Sequence, residues 1–122
     1  MRRSEAARYR GLTLRVLGKS VAAMGPGKAE LVERIGRTGS ISAAAREMGM
    51  SYRRAWQLVE SMNASFREPV VQTATGGKRG GGALVTAFGE RVVAQFRAME
   101  SRASRAIAAD LRRYAAHLGK RK

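Results

Sequence analysis

The sequence contains no cysteine. Disulfides, thiolate metal sites and cysteine nucleophiles are therefore excluded, and a cytoplasmic setting is permitted. The single histidine, His117, lies near the C-terminus. One imidazole and no thiol leave too few ligands for zinc, so no metal site is expected. Aromatic residues make up only 6% of the chain, so a core must rely on Leu, Val, Ile, Met and Ala. No apolar run approaches the ~20 residues of a membrane span. The basic start "MRRSEAARYRG" is not followed by the apolar stretch of a signal peptide. Carboxylates are scarce as well: nine acids face 24 Lys and Arg residues, a net charge of +15. The acids Glu30, Glu33, Glu47, Glu60, Glu68 and Glu90 read as exposed helix positions rather than a catalytic set. With no nucleophile, base or metal cluster in view, no catalytic residue, no cofactor and no enzyme activity are expected.

The length of 122 residues fits one domain spanning 1–122. The charge favours a polyanion, and nucleic acid is the commonest such partner. The excess is concentrated at the ends: residues 1–22 carry +5 and residues 97–122 carry +6, while the longer middle carries +4. Two readings stand for those ends, solvated basic tails or segments lying near phosphates.

Along the chain, Leu12, Leu14 and Val16 alternate in "LTLRVLG" (Leu12 to Gly18), the pattern of a short strand. "GPGK" (Gly25 to Lys28) reads as a turn feeding a helix through about Gly36, with Leu31, Val32 and Ile35 as its stripe and Gly39 just beyond its end. Ser40 or Ser42 can cap a short helix that Gly49 ends. Ser51 caps a third helix, where Ala55, Leu58, Val59, Met62 and Phe66 recur at helical spacing, and Pro69 stops it. "VVQTATGGKRGGGALVT" reads as strand, Gly-rich tip, strand. Thr86 then caps a helical pattern with no proline, predicted as one helix over about 87–118. The fold class expected is mainly α with a small β-hairpin (α+β): a winged helix-turn-helix core over about 12–86 plus a long C-terminal dimerisation helix.

A helix-turn-helix needs small residues where its helices touch, a turn with positive φ, and apolar residues beneath the second helix. Ala44 and Ala45, Gly49, and Met48, Met50, Ala55 and Leu58 meet these needs in order. The outward positions of the second helix then follow as Ser51, Tyr52, Arg53, Arg54 and Gln57. Recognition helices present such N-terminal residues to base edges: Arg pairs bidentately with guanine, Gln with adenine, and a hydroxyl donates to phosphate. Alone, the two arginines would read as a solvated face; the Gly turn and the hairpin tip reverse that weighting. Trp56 neighbours the buried stripe and is expected to pack half-buried. In the tip, five glycines frame Lys78 and Arg79. A side-chain-poor tip with two cations suits a phosphate track or minor groove; a flexible, solubilising hairpin is the plainer reading. A phosphate-binding loop is not supported, because no Ser or Thr follows the lysine.

In the long pattern, Phe88, Val92, Phe96, Met99, Ala103, Ile107, Leu111, Tyr114 and Leu118 recur every three or four residues. Its far part needs a partner, and a homodimer is the simplest; folding back onto the chain's own N-terminal strand, fraying, or a basic amphipathic face for a membrane surface are the others.

"GSISAAAREMGMSYRRAWQLVESMN" followed by "ATGGKRGGGALVTAFGERV" resembles the N-terminal DNA-binding domain of ModE-type molybdate-responsive regulators, over roughly Leu12 to Arg97. A broader similarity runs to LysR-type winged helices through "GSISAAA" and "LVTAFGE". The resemblance implies a dimeric bacterial transcription factor in the cytoplasm (nucleoid), bound to double-stranded DNA with the helix Ser51–Asn63 in the major groove and the wing Gly76–Gly82 on the backbone or minor groove. It also implies dimerisation through the first strand and the long helix. ModE-type proteins sense molybdate in C-terminal domains, and nothing in this sequence corresponds to them, so no molybdate site is expected in this chain. Sequence-specific regulation is the leading reading; a non-specific nucleoid-associated architectural protein is the alternative.

Overall fold

The structure is a computed structural model that describes residues 11–19, 22–74 and 82–119. In order these form β1 (Val16–Leu17), β2 (Ala22–Met24), α1 (Pro26–Thr38), α2 (Ile41–Met48), α3 (Tyr52–Ser65), β3 (Val71–Ala74), β4 (Gly82–Val85), α4 (Ala87–Ala106) and α5 (Ala108–Ala115). The strands form two antiparallel pairs, β1 with β2 and β3 with β4. The architecture is α+β, a winged helix-turn-helix.

Local chemistry sets the helix ends. Pro26 opens α1 at its first turn, where a fixed φ and a missing N–H cost nothing. Ser40, Ser51 and Thr86 cap α2, α3 and α4, each side-chain oxygen accepting a backbone N–H of the first turn at 2.8–3.0 Å. Gly39 and Gly49 close α1 and α2 in the left-handed region, at φ 71° and 69°, where glycine has no Cβ to strain. One core runs through the domain. Leu31, Val32 and Ile35 of α1 meet Ala44 and Ala45 of α2, Ala55, Val59 and Met62 of α3, Val70 and Val71 at β3, and Phe96 of α4. The third row of the hairpin is supplied by a loop: the Ala83 N–H donates to the Gly39 carbonyl at 3.0 Å.

Three expectations need correction. The strand predicted over Leu12–Gly18 shortens to Val16–Leu17, because only these residues find backbone partners, on β2, a strand that the sequence pattern does not announce. Helix α1 begins at Pro26, inside the predicted "GPGK" turn, and runs two residues past Gly36. The single helix over 87–118 is interrupted at Ile107, whose φ of −109° and ψ of 12° leave the helical region. The interruption is a one-residue kink: the Ile107 N–H still donates to Ala103 and the Leu111 N–H to Ile107. Past the kink, Leu111 lies against residue 11, where a Cβ added to Gly11 would come 3.1 Å from its Cδ2. Half-buried Leu111 thus settles on the chain's own N-terminal segment, while Tyr114 and Leu118 stay exposed. Among the described residues no helix is long and apolar enough to cross a membrane.

Candidate nucleic-acid interface

Helix α3 is amphipathic by construction. Its underside carries Ala55, Val59 and Met62, all buried against α1 and α2. At 3.6 residues per turn the opposite stripe is Arg53, Gln57, Glu60 and Ala64, and all four are exposed. The N-cap Ser51, Tyr52 and Arg54 are exposed as well, so all five residues that the sequence pattern selects here lie at the surface, Arg53 and Gln57 on the outward stripe and Tyr52 on the flank away from Arg54. Ser51 plays a structural part as well. Its Oγ accepts the Arg54 N–H at 3.0 Å, and its O–H proton remains available to a phosphate oxygen. Lys78 and Arg79 lie outside the described residues; only the stem of the hairpin, paired from Val71↔Val85 to Ala74↔Gly82, is described.

The two flanks of α3 differ. On one side, Arg54 shares a flank with Ser61, and Lys28 of α1 reaches this flank, donating from Nζ to the Ser61 Oγ at 3.2 Å and to the Ala22 carbonyl. Burial, and then the nearby Arg54 charge, push the Lys28 ammonium below its ordinary pKa. The like charge leaves Arg54 no inward partner, and among the described residues no carboxylate pairs with Arg53 or Arg54. On the other flank, Trp56 is half-buried, as expected, and lines an open groove with Glu60, Asn63, Val71 and Thr73, between α3 and β3.

Asn63 fixes that second flank. Its Nδ2 donates to the Val71 carbonyl at 2.9 Å, and its Oδ1 accepts the N–H groups of Val70 (2.8 Å) and Val71 (3.2 Å). The side chain reproduces a strand partner and locks β3 to the end of α3. From the other direction, the Thr86 N–H donates to the Val70 carbonyl at 3.0 Å, and the Thr86 hydroxyl donates to Pro69 at 2.7 Å. Gly89 lets α4 cross this point, since a Cβ there would sit 2.2 Å from the Val70 oxygen. Sequence reasoning misses Lys28, Asn63 and Gly89 as positioning residues. The only sequence signal is an amide near the end of a helix that precedes a strand, and a glycine in an otherwise strong helical run.

Several cations elsewhere are paired with carboxylates. Arg34 of α1 pairs with Glu30 and with Glu47 of α2 at 2.8 and 2.9 Å, and Arg37 also pairs with Glu47. Arg97 of α4 holds Glu33 of α1 through both Nε and Nη2, at 3.0 and 2.8 Å, and holds Glu100 at 2.8 Å. The hydrogen bonds that Arg97 donates to Glu33 are the main cause that raises the Arg97 pKa further above its ordinary value.

Known proteins share much of this sequence. Over 86 residues the chain is 51% identical to the molybdenum-pterin-binding protein MopB of Rhodobacter capsulatus, covering 70% of this chain and 32% of that protein. It is 44% identical over 70 residues to the molybdenum transport protein ModE of Azotobacter vinelandii, covering 57% and 26%. It is 40% identical over 82 residues to the DNA-binding transcriptional dual regulator ModE of Escherichia coli (strain K12), covering 67% and 30%. The chain thus spans about a third or less of the length of these curated relatives, and they bear out the ModE-type resemblance of "SYRRAW" and the glycine-rich tip. Residues 28–90, just over half of the chain, match the family of bacterial regulatory helix-turn-helix proteins of the lysR type. That span runs from Lys28 through the Gly49 turn and the exposed α3 to Glu90 just beyond the Gly89 crossing, and on this match the chain belongs to the lysR family of bacterial regulatory helix-turn-helix proteins.

Proposed function

We propose that this chain is a sequence-specific DNA-binding regulator of transcription, not an enzyme, acting on double-stranded DNA as a homodimer in the bacterial cytoplasm. The observation that carries the reading is the bare cationic turn of α3. Arg53 and Arg54 project from a helix whose underside is fully packed, and among the described residues no carboxylate neutralises them. In the major groove, Arg53 and Arg54 would pair with guanine and Gln57 with adenine, with Ser51 on a phosphate and Tyr52 beside it. Lys78 and Arg79 of the wing would track the backbone or minor groove. Exposed Tyr114 and Leu118 on the α5 end, and exposed Leu12 and Leu17 near the N-terminus, support a second copy of this chain on that end. The whole of 1–122 then acts as one domain, with the core over about 12–86 and the dimer contact on the helical segment beyond. Molybdenum figures in the names of the relatives; we assign no residue of this chain to it.

The test is binding-site selection from random duplex DNA with the purified chain near physiological salt. The expected result is two enriched half-sites related by a two-fold, about 34 Å apart between centres. Retained DNA with no enriched sequence would replace this reading with a non-specific architectural role.

A further inference from the structure

The carboxylates of this chain are few, and almost all have a task within the fold. Glu30, Glu33, Glu47, Glu100 and Asp110 are ion-paired. Glu68 has Arg67 at 3.9 Å. Glu90 sits in the first turn of α4, where the helix dipole favours an anion. Glu60 has neither. It lies in the third turn of α3, and its neighbours at three and four residues are Trp56, Gln57, Asn63 and Ala64, none of them basic. Among the described residues no ion pair or side-chain hydrogen bond engages it. In a chain with 24 cations, its carboxylate has no charged partner among the described residues and lies on the stripe that carries Arg53 and Gln57, at the rim of the groove between α3 and β3.

A bare carboxylate on a surface that meets a polyanion lowers affinity unless it finds a donor there. Phosphates and the guanine edge offer only acceptors in the major groove. Cytosine offers its N4 amino group, and glutamate is a known type of acceptor for it. We propose that the Glu60 carboxylate accepts a hydrogen bond from the N4 amino group of a cytosine and so specifies one base pair of the preferred site. The proposal rests on the reading that α3 enters the major groove. Glu60 is seven residues beyond Arg53, about 10 Å along the helix at 1.5 Å per residue. That is about three base-pair steps at 3.4 Å each, so the two side chains read different base pairs. Opposite guanine or thymine the same carboxylate faces only acceptors and is repelled, so it discriminates by disfavouring those bases.

The experiment compares the full chain, Glu60→Gln and Arg53→Ala by site selection, followed by titration on the selected and a shuffled duplex. Glutamine keeps the shape, loses the charge and prefers adenine. The expected result for Glu60→Gln is a change from C·G to A·T at one base pair, tighter binding to shuffled DNA, and discrimination reduced about tenfold. Arg53→Ala should alter a different base pair. If Glu60→Gln tightens binding to every duplex equally and alters no base preference, the carboxylate only repels phosphates and the proposal is overturned. An unchanged Glu60→Gln beside an altered Arg53→Ala overturns it too, while leaving the groove reading intact. A wild-type chain that enriches no sequence overturns the groove reading and this assignment together.

Discussion

Arg34 and Arg97 are gripped by carboxylates of their own and neighbouring helices, whereas Arg53 and Arg54 at the start of α3 have none among the described residues. All four belong to one basic composition, yet the first pair joins α1 to α2 and α4, and the second pair is left for something outside the fold. The difference teaches that a net charge of +15 is not evenly available. The scaffold uses most of its scarce acids to neutralise its own cations, while the exposed start of α3 carries two arginines with no carboxylate beside them among the described residues.

The strongest way to break this division is to damage the scaffold without touching the face. Gly89→Ala forces a Cβ into the Val70 carbonyl, 2.2 Å away. Overpacking against backbone should lower stability by about 3 kcal/mol, seen as a thermal midpoint lowered by about 10 °C. The fraction that remains folded should select the same DNA. A midpoint within about 2 °C of the wild type would show that α4 does not depend on this crossing. Next in size is the reverse experiment. Arg53→Ala combined with Arg54→Ala should weaken binding to a selected duplex by about 100-fold, with no drop in thermal midpoint, because neither side chain has a carboxylate partner among the described residues. A fall in stability as large as the fall in affinity would erase the distinction. The smallest effect is expected for Arg97→Ala. Its pairs with Glu33 and Glu100 are partly exposed and solvent-screened, so urea titration should show a loss of about 1 kcal/mol, with DNA affinity unchanged. An Arg97→Ala variant that bound DNA as poorly as the α3 double variant would move the interface to α4.

Much of the division is legible in the amino-acid sequence. Ser51 and Thr86 announce their helices because a hydroxyl before an apolar-periodic run has one good use, and Gly39 and Gly49 announce the ends. Both are local devices, readable within four residues. The underside of α3 is also local, a stripe of Ala55, Val59 and Met62 that fixes its outer face by elimination. What escapes is non-local. Ala22–Met24 has no alternation to mark it as a strand, and it becomes one only because Val16 and Leu17 return to it. The predicted stripe of α4 passes over Gly89 and Val93, which are buried while Phe88 and Val92 are only half-buried. Periodicity weights side chains by size, and it cannot see that the backbone at Gly89 is itself the contact surface. The kink at Ile107 escapes because no proline or glycine accompanies it. Asn63 looks like an ordinary residue of a helix end until β3 is laid beside it.

Asn63, Thr86 and Gly89 converge on the peptide groups of a single residue, Val70. This junction works as a chassis mount. The end of α3 and the stem of the hairpin are both bolted to it, yet the outward stripe of α3 forms no part of it. The outward stripe is therefore exchangeable: it could be rewritten with the helix and the hairpin stem held in place. A protein built in this way can acquire a new address on the genome through a few surface substitutions, without its fold having to be solved again.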